Sequence, residues 1–325
     1  MKKRVFITGC TGQDGFLMCK YLSESFDDYI VYGLVRRTSH HNPKIKELLK
    51  WDVELIEGDL TDLSSLSRNI KLIRPDYLYN FGAQSHVRIS FEEPISTFDI
   101  TGKGVLNCLE VIRTNSPHTR FYQASSSEMF GKVQETPQTE KTPFFPRSPY
   151  GVAKVFGYWI VVNYRESYDI FASNGILFNH ESEVRGLNFV TRKITDGVAQ
   201  IKYGLANKLE LGNLDAERDW GYAPDFMKGA KLILEHNYPE DFILATNEKH
   251  SVREFCDICF KKIGLNYKDY VTTNPKFVRP AEVDILLGDY TRAKRVLGWE
   301  PETSFEQMVE LMLNHDLKRY ENEVK

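Results

Sequence analysis

Short, continuously apolar runs alternate with amphipathic stretches of helical period along the first 180 residues. Arg4–Thr8, Tyr29–Val35, Val53–Leu60, Tyr77–Asn80, Thr119–Ala124 and Phe171–Leu177 each read as a buried strand. Phe16–Leu22, Leu63–Ile73, about Thr97–Thr114 and Arg147–Tyr168 have the spacing of helices with one buried face. Strand and helix in strict alternation predict the α/β class, a Rossmann-type doubly wound parallel sheet with right-handed crossovers. Beyond Asn179 the alternation loosens. Val190–Tyr203, Ser251–Ile263 and Phe305–Tyr320 read as helices, and Leu209–Asn213 and Phe242–Thr246 as strands. The pattern predicts a nucleotide-binding domain of residues 1–178 plus about 219–248. A smaller, discontinuous α/β substrate-binding lobe takes about 179–218 plus 249–325.

Composition narrows the class of partner. The 325 residues are 42% hydrophobic and 27% charged, with a net charge of −3, which gives no reason to expect nucleic acid or an acidic membrane. No apolar run approaches the ~20 residues of a membrane span. Met1–Arg4 is basic, but the apolar run after it is only Val5–Ile7, too short for a signal peptide, so a cytoplasmic enzyme is expected. Five cysteines form no disulfide framework. Cys256 and Cys259 match C-x-x-C inside an amphipathic run, where core-facing thiols are the simpler reading. The eight histidines show no ligand spacing, and no metal site is expected.

The candidate chemistry starts at the first strand. Gly9, Thr11, Gly12, Gln13, Asp14 and Gly15 form a glycine-rich turn between that strand and a helix, the setting of a pyrophosphate cradle. The second strand ends in Arg36, Arg37, Thr38 and Ser39. An acid there would bind the ribose hydroxyls of NAD, whereas arginine suits the extra phosphate of NADP, so NADP is expected. Asp59 and Leu60 follow the third strand, placed for the adenine edge. Gln84 and Ser85 follow the fourth, where the loop should pass the cofactor. His86 reads as a hydrogen-bonded structural histidine.

The fifth strand delivers Ser126 and Glu128, and the next helix carries Tyr150 and Lys154 four residues apart on one face. A tyrosine's usual pKa of about 10 is too high for a neutral-pH base, and a lysine ammonium one turn away favours tyrosinate. Ser126 can hydrogen-bond the same substrate oxygen. Glu128 is the additional piece. Alcohol oxidation has no use for a second base, but proton abstraction beside a new ketone does.

These motifs resemble the extended short-chain dehydrogenases and, among them, the GDP-mannose 4,6-dehydratase family. The resemblance runs through Thr8–Gly15 (TGCTGQDG), Gly82–Val87 (GAQSHV), Ala124–Gly131 (ASSSEMFG), Asn179–Ser182 (NHES), Phe189–Lys193 (FVTRK), Arg218–Gly221 (RDWG) and Arg279–Asp284 (RPAEVD). It implies a redox-neutral lyase reaction on a GDP-sugar. Tyr150, with Lys154 and Ser126, would take the C4 hydroxyl proton as tightly bound NADP accepts hydride. Glu128 would then remove the C5 proton, water would leave from C6, and hydride would return there, regenerating the cofactor. Asn179, Val190, Lys193, Arg218, Arg279 and Glu282 would surround GDP, with Ser85, Glu181, Leu211 and Gly212 also against the substrate. A homo-oligomer, dimer or tetramer, is implied, the Arg36–Ser39 loop reaching a neighbouring subunit.

Three departures qualify the resemblance. Ser126 stands where the family usually has threonine, and Phe81-Gly82 replaces Leu-Ala. After NHES the family continues Pro-Arg-Arg-Gly, whereas this chain reads Glu183-Val184-Arg185-Gly186. That exchange leaves GDP-manno-heptose open as an alternative sugar for the same dehydration. Two further readings stand beside the dehydratase. One is a 4-epimerase or keto-sugar reductase, which would not need Glu128, and the second is a non-catalytic NADP-binding regulator.

Overall fold

The computed structural model describes residues 2–25, 28–277, 283 and 285–324. Strands β1 (Lys3–Thr8), β2 (Tyr29–Val35), β3 (Glu54–Glu57), β4 (Tyr77–Asn80), β5 (Arg120–Ser126) and β6 (Ala172–Leu177) join the strand Phe242–Leu244 in one seven-stranded sheet. All its pairings are parallel. The order is 242–244, β6, β5, β4, β1, β2, β3, so the chain reverses direction across the sheet between β1 and β4. In this doubly wound arrangement ligands lie beyond the carboxyl ends of the strands at that reversal.

Apart from the edge strand β3, which has no buried residue, the strands are largely buried, and side-chain alternation divides them between two cores. Val5, Ile7, Tyr79 and Tyr122 face the helices Gln13–Ser23 and Ala223–Glu235. Phe6, Leu78 and Phe121 face Leu63–Ile73, Gly104–Asn115 and Pro149–Tyr168. Each such fully buried side chain contributes roughly 1.5–3 kcal/mol.

The helix expected over about Thr97–Thr114 is longer and broken. It runs as Val87–Glu92, Pro94–Phe98, a wide π-helical turn Asp99–Lys103 and Gly104–Asn115. Pro94 has no N–H to continue the first segment. At the π-turn, Thr101 Oγ1 accepts from Gln84 N–H at 3.0 Å, fastening the helix to the β4 loop.

Residues after Asn179 build a separate core from Val198, Trp220, Phe255, Cys256, Cys259, Met308 and their neighbours. Helices Val190–Lys202, Val252–Lys262 and Phe305–Val324 surround it. Ser251 and Glu254 cap the middle one reciprocally. Cys256 and Cys259 are buried thiols within this core. Among the described residues no helix is long and apolar enough to cross a membrane, and no His/Cys/Asp/Glu group is set to hold a metal.

Candidate active site

The carboxyl ends of the strands open on a cleft of about 1000 Å³. At one end the glycine turn is closed backbone against backbone. Gly9 has φ +69°, and a Cβ there would lie 2.8 Å from Gly82 N. A Cβ on Gly15 would lie 2.4 Å from Gly9 O. Gly12 stands at the N-cap of helix Gln13–Ser23 with no side-chain cap, which leaves first-turn amides for an anion. Thr11, Arg36, Ser39, Asp59, Leu60, Gln84 and Ser85 line the same side. This lining fits a dinucleotide. Arg37 is not part of it. A 3₁₀ turn starts at Arg37, and its side chain is 89% exposed, 3.9 Å from Glu57. The expected arginine pair is therefore Arg36 alone on the cleft. His86 has the structural role expected of it, its Nδ1 accepting from Ile89 N–H at 3.3 Å as a helix cap.

The central cluster is buried. Ser126 ends β5, its Oγ accepting from Glu128 N–H at 3.2 Å, which turns Glu128 back toward the cleft. Ser148 accepts from Gly151 N–H at 3.0 Å and Pro149 starts the helix, which fixes the first turn that carries Tyr150. Lys154 Nζ is 5.6 Å from the Tyr150 ring centroid and donates to Ala124 O at 2.5 Å. Glu128, Tyr150 and Lys154 are 5–8% exposed. Burial pushes the Tyr150 phenol above its usual range, the Ser126 hydrogen bond pulling the other way and Glu128 adding to the rise. Burial also pushes Lys154 down to about 8, against the attraction of Asp14.

At the far end Asn179, Glu181, Val190, Lys193, Leu211, Gly212 and Arg218 line the cleft. Glu181 is already engaged by Thr191 Oγ1 and by Arg185 Nε at 3.2 Å. Lys193 Nζ sits 3.5 Å from the Phe277 ring centroid. Arg279 and Glu282 lie outside the described residues. Sequence reasoning did not single out His180, Phe277 or Arg185 as lining residues. The Arg185 guanidinium is 3.8 Å from the Phe189 ring centroid.

The Gln13-Asp14 pair and the Asn179–Ser182 segment form one unit. Gln13 Nε2 donates to His180 O at 3.0 Å, and Ser182 Oγ donates to Gln13 Oε1 at 2.8 Å. His180 Nδ1 faces Phe178 O at 2.7 Å and Nε2 faces Asp14 Oδ1 at 3.0 Å, so both ring nitrogens meet acceptors. Burial alone would lower the imidazole, but the Asp14 carboxylate leaves it raised. Burial likewise opposes ionisation of Asp14, yet His180 and Gln13 hold it below its ordinary value. The period-two spacing of a short strand over 179–181 was the signal that could have placed His180.

A parallel doubly wound sheet with Tyr150, Lys154 and Ser126 gathered at its carboxyl edge defines a Rossmann-type enzyme of the short-chain dehydrogenase class. The profile of the GDP-mannose 4,6 dehydratase family matches residues 6–312. GDP-mannose 4,6 dehydratase 2 of Arabidopsis thaliana is 48% identical over 329 residues, 98% of this chain and 87% of the plant protein. GDP-mannose 4,6 dehydratase of Homo sapiens is 47% identical over 341 residues, 96% of this chain and 91% of the human one. In fold, a UDP-glucose 4-epimerase of Thermotoga maritima superposes with a TM-score of 0.86 at 23% identity, covering 99% of this chain and 100% of the epimerase. The chain belongs to the GDP-mannose 4,6-dehydratase family.

A heptose as the sugar is not supported. The relatives named are GDP-mannose enzymes, and Glu183, whose acid prompted that reading, does not line the cleft. Its carboxylate accepts from Tyr222 O–H at 3.0 Å.

Proposed function

We propose that the protein catalyses 4,6-dehydration of GDP-mannose to GDP-4-keto-6-deoxymannose with bound NADP. Residues 1–178 with 219–248 would hold the cofactor, and residues 179–218 with 249–325 the nucleotide of the substrate. The observation that carries the reading is Glu128 on the cleft beside the Ser126, Tyr150 and Lys154 cluster.

Bound NADP supplies a hydride acceptor for C4 that gives the hydride back at C6. Arg36 and Ser39, at the end of β2, favour the 2′-phosphate of NADP, and the glycine turn with the uncapped first turn of Gln13–Ser23 receives the pyrophosphate. Tyr150 takes the C4 hydroxyl proton, Ser126 hydrogen-bonds that oxygen, and the Lys154 ammonium stabilises the phenolate. A ketone at C4 acidifies C5–H; Glu128 removes this proton and passes it to the C6 hydroxyl, which departs as water, and the proton held by Tyr150 is returned to C5 when hydride reaches C6. Lys193 and Arg218 offer cations to the GDP end of the cleft.

Supply of GDP-mannose to Glu128→Gln tests the assignment. The purified protein should release NADP on denaturation, and the variant should lose ~10²–10⁴-fold in 4-keto-6-deoxy product, the range of general-base catalysis. Product formation at the wild-type rate would refute Glu128 as the C5 base. A homo-oligomer belongs to the same reading. Ile95, Phe98, Val152 and Trp159 stand 41–75% exposed on the helices Pro94–Phe98 and Pro149–Tyr168, an apolar face suited to a second copy.

A further inference from the structure

A chain of buried hydrogen bonds crosses the sheet beneath the cleft and ends at Lys154. Gly82 N–H donates to Thr8 Oγ1 at 3.1 Å, and Thr8 O–H donates to Asn80 Oδ1 at 2.5 Å. Asn80 Nδ2 donates to Gln123 Oε1 at 2.7 Å, and Gln123 Nε2 donates to Ala124 O at 3.0 Å. Thr8, Asn80 and Gln123 are 0–2% exposed. The direction of the chain is fixed at its source. A backbone N–H can only donate, so Thr8 accepts there and donates onward, and each amide in turn must present its oxygen backward and its NH₂ forward. Ala124 O thus receives both the Gln123 amide and the Lys154 ammonium. On the β4 side the pairing of β5 ends at Asn80↔Gln123, while on the β6 side it continues to Ser126↔Leu177.

We propose that Gln123 is a positioning residue for the reaction, holding the Ala124 carbonyl in the orientation that anchors the Lys154 ammonium one helical turn from Tyr150. The proposal rests on the reading of Tyr150 and Lys154 as the proton-transfer pair. Gln123 is not itself a lining residue of the cleft, and it meets the lining through Ala124. It acts through one carbonyl. The charged groups that face the pair are Asp14 from the cofactor helix, Glu128 from the turn after β5 and Arg185 from the segment after β6. These groups stay in place when the Gln123 amide is removed, so a change in the pair's titration reports the lost anchor.

The test is the pH profile of kcat for Gln123→Met, which is close to isosteric but has no amide. With Lys154 no longer held, phenolate formation requires higher pH. The acid limb should rise by about one pH unit, and kcat at a fixed pH on that limb should fall ~10-fold, with KM for GDP-mannose and the NADP content close to wild type. Asn80→Ser, which breaks the chain one link earlier, should move the limb the same way, and it carries the test if Gln123→Met does not fold. An unmoved acid limb in the folded variants would overturn the proposal, including the case where kcat falls without any shift. Tyr150→Phe separates the two layers. If it keeps wild-type turnover, the reading of the proton-transfer pair is wrong. If it is inactive and the Gln123 and Asn80 profiles are unchanged, the positioning role alone is wrong.

Discussion

Replacing Asp316 by leucine should destabilise the protein by about 3–5 kcal/mol, because it strands a buried guanidinium. Asp316 is fully buried and Arg192 is 5% exposed. Their pairing is bidentate, Nε to Oδ2 at 2.9 Å and an Nη to Oδ1 at 2.5 Å, and Thr195 O–H adds 2.7 Å to Oδ2. Burial opposes the charge, yet the Arg192, His315 and Thr195 hydrogen bonds bring the carboxyl from 3.8 to about 2. That fall alone is worth on the order of 2 kcal/mol, and the larger figure adds the cost of the unpaired cation left behind. Arg192→Met with Asp316→Leu removes both charges and fills the space with apolar atoms, so the double variant should recover most of the loss. Urea unfolding, compared at a common m-value, measures all three. A single variant costing under ~1 kcal/mol, or a double variant no better than the single, would refute the reasoning. The pair ties Val190–Lys202 to Phe305–Val324, and an Arg192 Nη donates to Arg185 O at 3.1 Å. Val190 and Lys193 ride on the first of these helices, so Asp316→Leu should also raise KM for the GDP-sugar while NADP content holds.

Asp219 gives a pH prediction of opposite sign to a usual carboxylate. Burial raises it from 3.8 to about 6 even though Thr246, Asn247 and Gly288 donate to it. A raised folded pKa means that its contribution to stability is full below 3.8 and lost as pH rises through about 6. The stability of wild type minus that of Asp219→Asn should therefore fall by on the order of 2 kcal/mol between pH ~4 and pH ~7 in chemical unfolding, and a flat difference would contradict it. For assembly, Trp159→Glu should shift the protein toward monomer in light scattering. A monomeric wild type at working concentration would remove the self-association reading.

Where local chemistry sets an element's limits, the sequence was enough. Leu63–Ile73 is legible to the residue because Asp62 caps it by accepting from Ser64 N–H and Arg74 ends it in a left-handed conformation. The Tyr150/Lys154 turn was legible too, since a spacing of four places both side chains on one face before any packing is known, whereas the strand read as Thr119–Ala124 runs on to Ser126. The π-turn over Asp99–Lys103 was not. It rests on Thr101 meeting Gln84, and no local pattern contains that contact. Glu183 was misjudged similarly: adjacency to Ser182 suggested the sugar, but Tyr222, 39 residues on, takes its carboxylate. Arg36 and Arg37 are both exposed and differ by one position and a turn, yet only Arg36 borders the cleft.

The buried position of the central cluster has a consequence for how the site works. Burial raises the Tyr150 phenol and lowers the Lys154 ammonium, so it disfavours the charged form of each partner. At neutral pH the phenol therefore keeps its proton until further positive charge enters the cleft. Burial and the carboxylates of Glu128 and Asp14 oppose premature ionisation of the phenol, while the Ala124 carbonyl helps to keep Lys154 charged by accepting from it. Ser126 contributes from the other side, its hydrogen bond favouring phenolate. If Tyr150 is the base, as proposed, its ionising only in the loaded cleft would keep it from removing a sugar proton before there is an acceptor for the hydride. The same burial that makes the pair poor in isolation thus couples proton removal to the filled site.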